Sequence, residues 1–286
     1  MPSITLDPGE RIAPCNGLEI CYQTFGEETD PPLLLIMGLG AQMIVWSDEF
    51  CEALASRRYR VIRFDNRDVG KSSKIDAPPP DLGKAFVQAQ SGAPFGAPYR
   101  LEDMAADAIG LLDFLRSERA HVVGASMGGM IAQEIAMRWP RRLRTLTSIM
   151  SSTGDPTLPP PRTPEEYIVA NQRIWRAFRN GGFPEEEPRD RTRAIRAAGR
   201  GICPEGGARQ TLAVLASGSR KDRLRDVAAP TLVIHGADDP LVPLACGEDT
   251  ARSIPGAKLV VIERMGHALP TAVWPQVIDE IAAIAR

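Results

Sequence analysis

The segment from Gly124 to Gly128 places Ser126 between two glycines in the pattern G-x-S-x-G. β-Favouring residues precede this segment and an apolar helical pattern follows it at once, so Ser126 lies on a predicted strand–turn–helix. A serine in such a turn is held on a strained backbone that exposes its hydroxyl group. The pattern therefore predicts a nucleophile. The alternative is a serine in an ordinary glycine-rich turn, such as that of a phosphate-binding loop.

A neutral serine is a weak nucleophile, so it needs a base that takes its proton and a carboxylate that orients the base. The chain contains three histidines. His267 follows a predicted strand in a glycine-flanked loop, from which its ring can project. His121 opens a strand and His235 closes one, positions that are typical of buried or capping residues. We therefore predict that His267 is the base.

Two neighbouring aspartates compete for the role of the acid. Asp238 and Asp239 lie in the loop after a predicted strand that ends at His235. This is the carboxyl end of the strand, the edge at which open α/β sheets place their ligand sites. Either residue completes the chain order Ser, Asp, His that such folds use. The residues by themselves do not choose between the two.

Short apolar runs alternate with helical patterns through most of the chain. The predicted strands are Leu18–Phe25, Leu33–Met37, Arg60–Phe64, His121–Val123, Leu143–Met150, Pro230–His235 and Lys258–Ile262. The predicted helices are Ser47–Ala55, Leu101–Arg116, Met127–Trp139, Leu244–Ser253 and Trp274–Ala285. Such alternation is typical of βαβ units and predicts a mostly parallel sheet flanked by helices.

Two segments break this alternation. Residues 71–100 are rich in proline, glycine and alanine, and predict a long loop with a single helical turn near Lys84–Ala89. Residues 151–220 show no strand pattern and predict a helical cap. Its predicted helices lie at Glu165–Asn180, Asp190–Arg200 and Gly207–Ser217. We therefore predict a core domain made of residues 1–150 and 221–286, with the cap inserted between them.

The motifs GASMGG, HGADDPLVP and MGHALP resemble those of small serine esterases of the α/β-hydrolase superfamily. Together with MGHALP, the runs Met37–Gly40 and Asp65–Ser72 are particularly similar to the aclacinomycin methylesterase group. The resemblance covers nearly all of the chain outside the loop and the cap. It implies an α/β-hydrolase fold with a mostly parallel central sheet, flanking helices and a helical cap inserted after the sixth strand.

The same resemblance implies roles for further residues. In the family pattern the acid follows the glycine of H-G by three residues, which selects Asp239 over Asp238. The backbone N–H groups of Met127 and Leu39 are expected to bind an oxyanion. Met37 stands where many members of the family carry histidine. This difference need not abolish the oxyanion-binding site, because both of its donors are backbone N–H groups. For the segment containing Arg67 the resemblance implies a structural role beneath the site.

Residues of the predicted cap are expected to determine specificity. Its aromatic side chains could line an apolar pocket; they are Tyr167, Trp175, Phe178 and Phe183. We predict substrate contacts for Trp175, Phe178 and Met37. Arginines also surround Asp190 on one predicted helix, at positions 189, 191, 193, 196 and 200. A solvated face is the usual explanation of such a run, and a docking surface for an anionic acyl-carrier protein is the alternative.

These residues predict a serine carboxylic-ester hydrolase that acts through Ser126, His267 and Asp239 and an acyl-enzyme. Its substrate is expected to be a small, largely apolar ester; a methyl ester follows only from the resemblance. A C–C bond hydrolase, a cofactor-free perhydrolase and a non-catalytic ligand receptor on the same fold remain alternatives. Dehalogenases and epoxide hydrolases of this family are disfavoured, because they carry aspartate at the position of Ser126.

The composition of the chain limits the kinds of partner and the cellular location that we expect. The 286-residue chain has a formal net charge of −2, which gives no overall bias toward nucleic acid or an anionic membrane. It shows no secretory signal, and no apolar run approaches the about 20 residues of a membrane span. Five scattered cysteines fit a reducing cytoplasm, and the histidines lack metal-ligand spacing. We expect a cytoplasmic enzyme that uses neither metal nor cofactor; the oligomeric state stays open.

Overall fold

The computed structural model describes residues 5–78, 80–91, 93, 95–154, 171–201 and 203–285. The strands are β1 (Arg11–Cys15), β2 (Leu18–Phe25), β3 (Pro32–Ile36), β4 (Arg60–Phe64), β5 (Ala120–Ala125), β6 (Leu143–Ile149), β7 (Thr231–Gly236) and β8 (Lys258–Ile262). They form one sheet in the order β1-β2-β4-β3-β5-β6-β7-β8. The pairs β1–β2 and β2–β4 are antiparallel, and all later pairs are parallel. The predicted mostly parallel sheet is therefore confirmed.

The helices are α1 (Asp48–Ala55), α2 (Leu82–Ser91), α3 (Leu101–Phe114), α4 (Met127–Arg138), α5 (Asn171–Phe178), α6 (Glu187–Arg200), α7 (Pro204–Ser217), α8 (Leu244–Ser253) and α9 (Trp274–Ile284). Residues that alternate along a strand contribute to two separate apolar clusters. Leu34 and Val122 lie in one with α3 and α4, whereas Leu33 and Val123 lie in the other with α1 and α9. Since successive side chains of a strand point to opposite faces, helices cover both faces of the sheet.

Two elements differ from the sequence prediction. β1 was not predicted, because its five residues include Pro14; as the outermost strand of the sheet it tolerates a proline there. Residues 71–100 form more than a single helical turn, since α2 spans ten residues. The helix is stabilised by packing against α7, a tertiary contact that its local composition does not reveal.

The regular elements in the described part of the segment 151–220 are helices, and we call α5, α6 and α7 the cap helices. The predicted helices at Asp190–Arg200 and Gly207–Ser217 are present, and each begins three residues earlier than predicted. The first six residues of the predicted helix Glu165–Asn180 lie outside the described residues. The division of the chain into core and cap domains stays a prediction.

The two ends of the inserted segment meet at Arg220, whose side chain is almost fully buried. Its backbone N–H donates to the Thr153 carbonyl oxygen at 2.8 Å. Its guanidinium donates to the carbonyl oxygens of Ser152 at 3.2 Å and Gly218 at 3.1 Å, and to Gln133 of α4 at 2.9 Å. Burial lowers the pKa of Arg220 to about 10, so the side chain stays charged at neutral pH. One buried cation thus ties both ends of the insertion to the core.

Candidate active site

Ser126 occupies the turn between β5 and α4 in a strained conformation, with φ 55° and ψ −122°. Such a backbone costs about 1–3 kcal/mol and persists only where the surroundings enforce it. Here the Ser126 N–H donates to the Ile149 carbonyl oxygen at 2.9 Å. The Ser126 carbonyl oxygen accepts from the Ser151 hydroxyl at 2.8 Å. Contacts with β6 and the residues after it therefore hold the serine in the predicted strained turn.

The glycines on either side of Ser126 permit the close approach of strand and helix. A Cβ on Gly124 would overlap the carbonyl oxygen of Gly128. A Cβ on Gly128 would in turn overlap the carbonyl oxygen of Ile36 at the end of β3. Because backbone atoms occupy these positions, no rotation of a side chain could relieve the overlap. The spacing of the motif thus follows from packing at the turn.

The structure brings together the three residues predicted as nucleophile, base and acid. The Ser126 hydroxyl lies 2.9 Å from His267 Nε2, and His267 Nδ1 lies 2.8 Å from Asp239 Oδ2. Asp239 follows β7 and His267 follows β8, so the side chains converge at the carboxyl edge of the sheet. An ionised carboxylate only accepts hydrogen bonds, so Nδ1 carries the proton and Nε2 is left to accept from the serine.

The other oxygen of Asp239 is held by its own loop. Its Oδ1 accepts from the backbone N–H groups of Leu241 at 2.9 Å and Val242 at 2.8 Å. The side chain of Asp238 is exposed. Its carbonyl oxygen accepts from Asn180 at 3.2 Å. The structure therefore places Asp239, and not Asp238, against the imidazole.

The two remaining histidines are buried elsewhere. His121 Nδ1 lies 2.9 Å from the Thr145 hydroxyl, and burial lowers the pKa of His121 to about 4. His235 Nε2 lies 2.8 Å from the Val242 carbonyl oxygen, and burial likewise lowers its pKa. Both rings are therefore neutral at pH 7, and His235 braces the loop that carries Asp239.

The two predicted oxyanion donors border Ser126. Met127 is the first residue of α4, so its N–H has no acceptor within the helix. Leu39 lies in the loop of residues 37–42 after β3, which we call the oxyanion loop. A Cβ on Gly38 of this loop would lie 3.0 Å from the Ser126 Cβ. The loop therefore runs directly beside the serine.

The segment Asp65–Gly70 holds the start of the oxyanion loop, and the residue that follows the loop, by buried hydrogen bonds. Asn66 Nδ2 donates to the Met37 carbonyl oxygen at 2.9 Å, and Asp65 Oδ1 accepts from the Met43 N–H at 2.8 Å. Arg67 forms a bidentate pair with Asp107 at 2.6 and 2.7 Å. These buried contacts agree with the structural role expected for the segment.

Comparison with known proteins identifies the family. The sequence profile of the alpha/beta hydrolase family matches residues 33–283. The chain belongs to the alpha/beta hydrolase family. This hydrolase is 33% identical to the rhodomycin D methylesterase DnrP of Streptomyces peucetius, over 91% of this chain and 93% of that protein. It is 32% identical to the rhodomycin D methylesterase DauP of Streptomyces sp. (strain C5), with the same coverage.

A solved hydrolase from Pseudomonas aeruginosa PA01 superposes with a TM-score of 0.72 at 26% identity. The superposition covers 97% of this chain and 98% of that one. These findings confirm the predicted fold and the resemblance to the aclacinomycin methylesterase group. The hydrolase is therefore an enzyme of the esterase type.

One cap residue predicted to bind substrate contacts the histidine of the hydrolase directly. The Phe178 carbonyl oxygen accepts from the His267 N–H at 2.6 Å. The Phe178 ring also meets the imidazole edge to face, with centroids 5.4 Å apart. The Trp175 ring packs against the Phe178 ring, with centroids 5.8 Å apart. The guanidinium carbon of Arg193 lies over the Trp175 ring, 4.2 Å from its centroid. The end of α5 thus helps to position the histidine loop.

The other predicted pocket residues have different surroundings. The Met37 and Phe183 side chains are both buried in the apolar cluster that contains α1 and α9. The Arg264 guanidinium lies 5.4 Å from the centroid of the Phe183 ring. Tyr167 lies outside the described residues. A substrate contact by Met37 stays a prediction.

The arginines of α6 form the expected solvated face only in part. Four of the five pair with carboxylates: Arg189 with Glu49, Arg193 with Asp190, Arg196 with Asp48, and Arg200 with Glu10 and Asp65. Only Arg193 has its partner on the same helix; the other three reach acidic residues of the core. Sequence periodicity could not show this, because the acidic partners lie far away along the chain.

Arg200 makes the most deeply buried of these pairs. Its guanidinium donates to Glu10 and Asp65 at 2.8 Å and to the Gln42 side-chain oxygen at 2.6 Å. Burial opposes its charge, but the two carboxylates outweigh this effect and raise the pKa of Arg200. A fully charged network therefore fastens α6 to the core.

Sequence reasoning missed two glutamines that link the cap helices to the oxyanion loop. Gln210 of α7 accepts from the Gly40 N–H at 2.7 Å. Gln42 donates to the carbonyl oxygens of Ala197 at 2.9 Å and Gly201 at 2.8 Å. One sequence signal could have indicated the contact of Gln210: its polar side chain lies on the same face of α7 as the apolar Ala213. Without the knowledge that α7 covers a polar loop, the pattern resembles a solvated face.

Among the described residues, no group of three or more His, Cys, Asp or Glu side chains is placed to hold a metal ion. No helix found there combines the length and the apolar character that a membrane crossing requires.

Proposed function

We propose that this protein is a serine carboxylic-ester hydrolase that acts through Ser126, His267 and Asp239 and an acyl-enzyme intermediate. The observation that carries the proposal is the unbroken chain of hydrogen bonds, at 2.9 and 2.8 Å, from the serine hydroxyl through both imidazole nitrogens to the carboxylate. The strained turn at the serine adds support, since unfavourable backbone geometry concentrates at functional sites.

In the proposed reaction the Ser126 oxygen attacks the ester carbonyl carbon while His267 Nε2 takes the hydroxyl proton. Asp239 keeps the imidazole in the reactive tautomer and stabilises the cation that forms. The imidazolium then gives its proton to the leaving alcohol, and the acyl group remains on the serine. A water molecule, deprotonated by His267, attacks this acyl-enzyme and releases the acid.

The negative charge that develops on the carbonyl oxygen needs donors already in place. We assign this role to the backbone N–H groups of Met127 and Leu39. Donors that are fixed before the reaction stabilise the tetrahedral intermediate without reorganisation, and loss of one typically costs about 10²- to 10³-fold in kcat.

For the substrate we propose a small, largely apolar ester, with a methyl ester as the first candidate. Two relatives named as methylesterases support this choice. Phe178 and Trp175 offer aromatic surface next to His267, and Met37 is retained as a third contact. An acyl-carrier protein docked on α6 receives less support, because most of the arginines there already pair with carboxylates. A cytoplasmic enzyme with a separate cap domain at 151–220 completes the proposal.

Covalent labelling together with turnover tests this function. The wild type should react with a fluorophosphonate probe and hydrolyse short p-nitrophenyl esters, and a panel of acyl lengths and methyl esters compared by kcat/KM should rank its substrates. Ser126→Ala should lose labelling and at least about 10³-fold in kcat. The exposed Ser219 provides a matched control, since Ser219→Ala should retain both. Labelling without turnover would indicate a receptor, and undiminished hydrolysis by Ser126→Ala would refute the mechanism.

A further inference from the structure

The contact between Gln210 and the oxyanion loop connects the cap to the proposed chemistry. Gln210 is fully buried on α7, and its Oε1 accepts from the Gly40 N–H at 2.7 Å. Its Nε2 donates to the Arg67 carbonyl oxygen at 2.9 Å. Both ends of the amide are therefore engaged, one with the loop and one with the core.

The orientation of this amide is fixed by chemistry. The Arg67 carbonyl oxygen can only accept, so the NH₂ group of Gln210 must face it and the side-chain oxygen must face Gly40. Arg67 itself is held by its bidentate pair with Asp107. The amide of Gln210 cannot reverse without losing two buried hydrogen bonds, each of which is costly to leave unmade.

The group that Gln210 holds is the central peptide of a tight turn. The Ala41 N–H donates to the Gly38 carbonyl oxygen at 3.3 Å, which closes a four-residue turn. Gly40 has φ +66°, and Leu39 is not among the residues with positive φ. This combination is that of a type II turn, in which the central peptide is reversed relative to type I. The Leu39 N–H, the proposed oxyanion donor, belongs to the preceding Gly38–Leu39 peptide of the same turn.

We propose that Gln210 is a positioning residue: by tethering the Leu39–Gly40 peptide through the Gly40 N–H, it fixes the turn beside Ser126 and with it the Leu39 N–H of the adjoining peptide. The inference rests on the proposed ester hydrolysis and deepens it. The cap would then contribute to the rate of the reaction as well as to the choice of substrate. Because the oxyanion forms only after the attack, loss of this contact should lower kcat and leave KM nearly unchanged.

The near-isosteric variant Gln210→Met removes both hydrogen bonds and keeps the volume. We expect kcat for a p-nitrophenyl ester to fall about 10- to 100-fold, less than or comparable to the loss of an oxyanion donor, with KM within about twofold. The Ki of an arylboronic acid, which forms a tetrahedral adduct on a serine, should rise by a similar factor. Gln133→Met is the matched control, because Gln133 is equally buried but bonds to Arg220. It should lower the melting temperature comparably and leave the boronate Ki unchanged.

A second variant acts on the turn without touching the cap. Gly40→Ala strains the left-handed φ, while no atom lies within 4 Å of the added Cβ. It should lower kcat and weaken boronate binding in the same proportion. If Gln210→Met keeps the wild-type kcat and boronate Ki, or changes them no more than Gln133→Met, the inference is wrong. Ser126→Ala distinguishes failure of the proposed function from failure of this inference. If Ser126→Ala is active, the proposed ester hydrolysis through Ser126 is wrong. If Ser126→Ala is inactive and Gln210→Met is fully active, only the role of Gln210 is wrong.

Discussion

The core and the cap helices depend to different extents on apolar packing and on buried charges. The core rests on two apolar clusters, one on each face of the sheet, built from strands and from helices such as α3, α4 and α9. The cap helix α7 also contributes Ala213 to one of these clusters, but α6 and α7 are fastened in addition by buried charges: Arg200 contacts Glu10, and Arg209 contacts Asp68. Apolar packing contains no titrating groups, whereas ion pairs depend on the protonation of their carboxylates and therefore on pH. The sheet thus provides a fixed frame, and the cap is attached in a way that solution conditions can change.

The core and the cap also contribute differently to the candidate active site. Ser126, Asp239 and His267 are supplied by the ends of core strands. Residues of the cap contact the backbone of His267 and of the neighbouring oxyanion loop: the Phe178 carbonyl oxygen accepts from the His267 N–H, and Gln210 accepts from the Gly40 N–H. In the proposed reaction the core therefore supplies the reacting groups, and the cap helices help to fix their positions. Four predictions test this difference, from the largest expected effect to the smallest.

Asp239→Asn should damage the chemistry without affecting the cap. An amide facing His267 favours the wrong imidazole tautomer, so we expect kcat to fall about 10⁴-fold. The melting temperature should change little, because the Asn oxygen can still accept from Leu241 and Val242. Steady-state kinetics and thermal unfolding measure both effects. The neighbouring exposed Asp238→Asn is the control and should retain activity; the reverse outcome would exchange the roles of the two aspartates.

Arg200→Met should weaken the attachment of the cap most strongly. It leaves Glu10 and Asp65 buried without their shared cation, and breaking such a network typically costs about 3–5 kcal/mol. Urea unfolding measures the loss. Arg191→Met on the same helix changes an exposed side chain and should stay within about 0.5 kcal/mol of the wild type. Equal effects of the two variants would show that the buried network does not fasten the cap.

Acid should loosen the cap before the core. Burial alone would raise the pKa of Glu10, but hydrogen bonds from Lys71 and Arg200 hold it below its ordinary value of 4.5. Arg209 overcomes burial in the same way and lowers the pKa of Asp68 from 3.8. A lowered pKa stabilises the fold above the ordinary value, and this contribution is lost as the pH falls through the lowered one.

Hydrogen exchange measures this acid sensitivity. After correction for intrinsic rates, amides of α6 and α7 should lose protection as the pH falls below the ordinary glutamate pKa of 4.5, while those of β5 keep it. In Glu10→Gln the acid-sensitive part of the response should shrink. Parallel loss of protection in the cap helices and β5 would show that both are held alike.

Arg57→Ala should have the smallest effect. Arg57 pairs with Asp279 at 2.6 Å, yet the two side chains are 45% and 60% exposed. Exposed pairs contribute about 0–1 kcal/mol, so the free energy of unfolding should barely change. A loss as large as that of Arg200→Met would mean that burial does not explain the strength of the cap contacts.

Much of the core could be predicted from the sequence, because its signals are local. The seven predicted strands all occur, with ends shifted by no more than two residues. Ser126, Asp239 and His267 follow strand ends in an order that the fold requires, and the structure places them within hydrogen-bonding distance. Short-range spacing carried all of these predictions.

The contacts of the cap were not predicted, because each depends on two distant parts of the chain. Arg200 reaches Glu10 across 190 positions, and Gln210 reaches Gly40 across 170. In the sequence the arginines of α6 look like a solvated face, and Gln210 looks like any polar helical residue. Hydrophobic periodicity identifies buried apolar faces; it does not identify a buried polar one.

The meeting of both ends of the inserted segment at Arg220 has a consequence for how such an enzyme diversifies. A Cβ on Gly154 would lie only 2.8 Å from the Gly218 carbonyl oxygen, so the chain leaves and re-enters the core at one point. The entropy of closing a loop rises only slowly with its length. The stretch between the two glycines can therefore be lengthened, shortened or replaced without displacing β6 or β7. In evolution, or in a laboratory graft, it is an exchangeable module, provided that the replacement again pairs the core carboxylates that Arg200 and Arg209 contact.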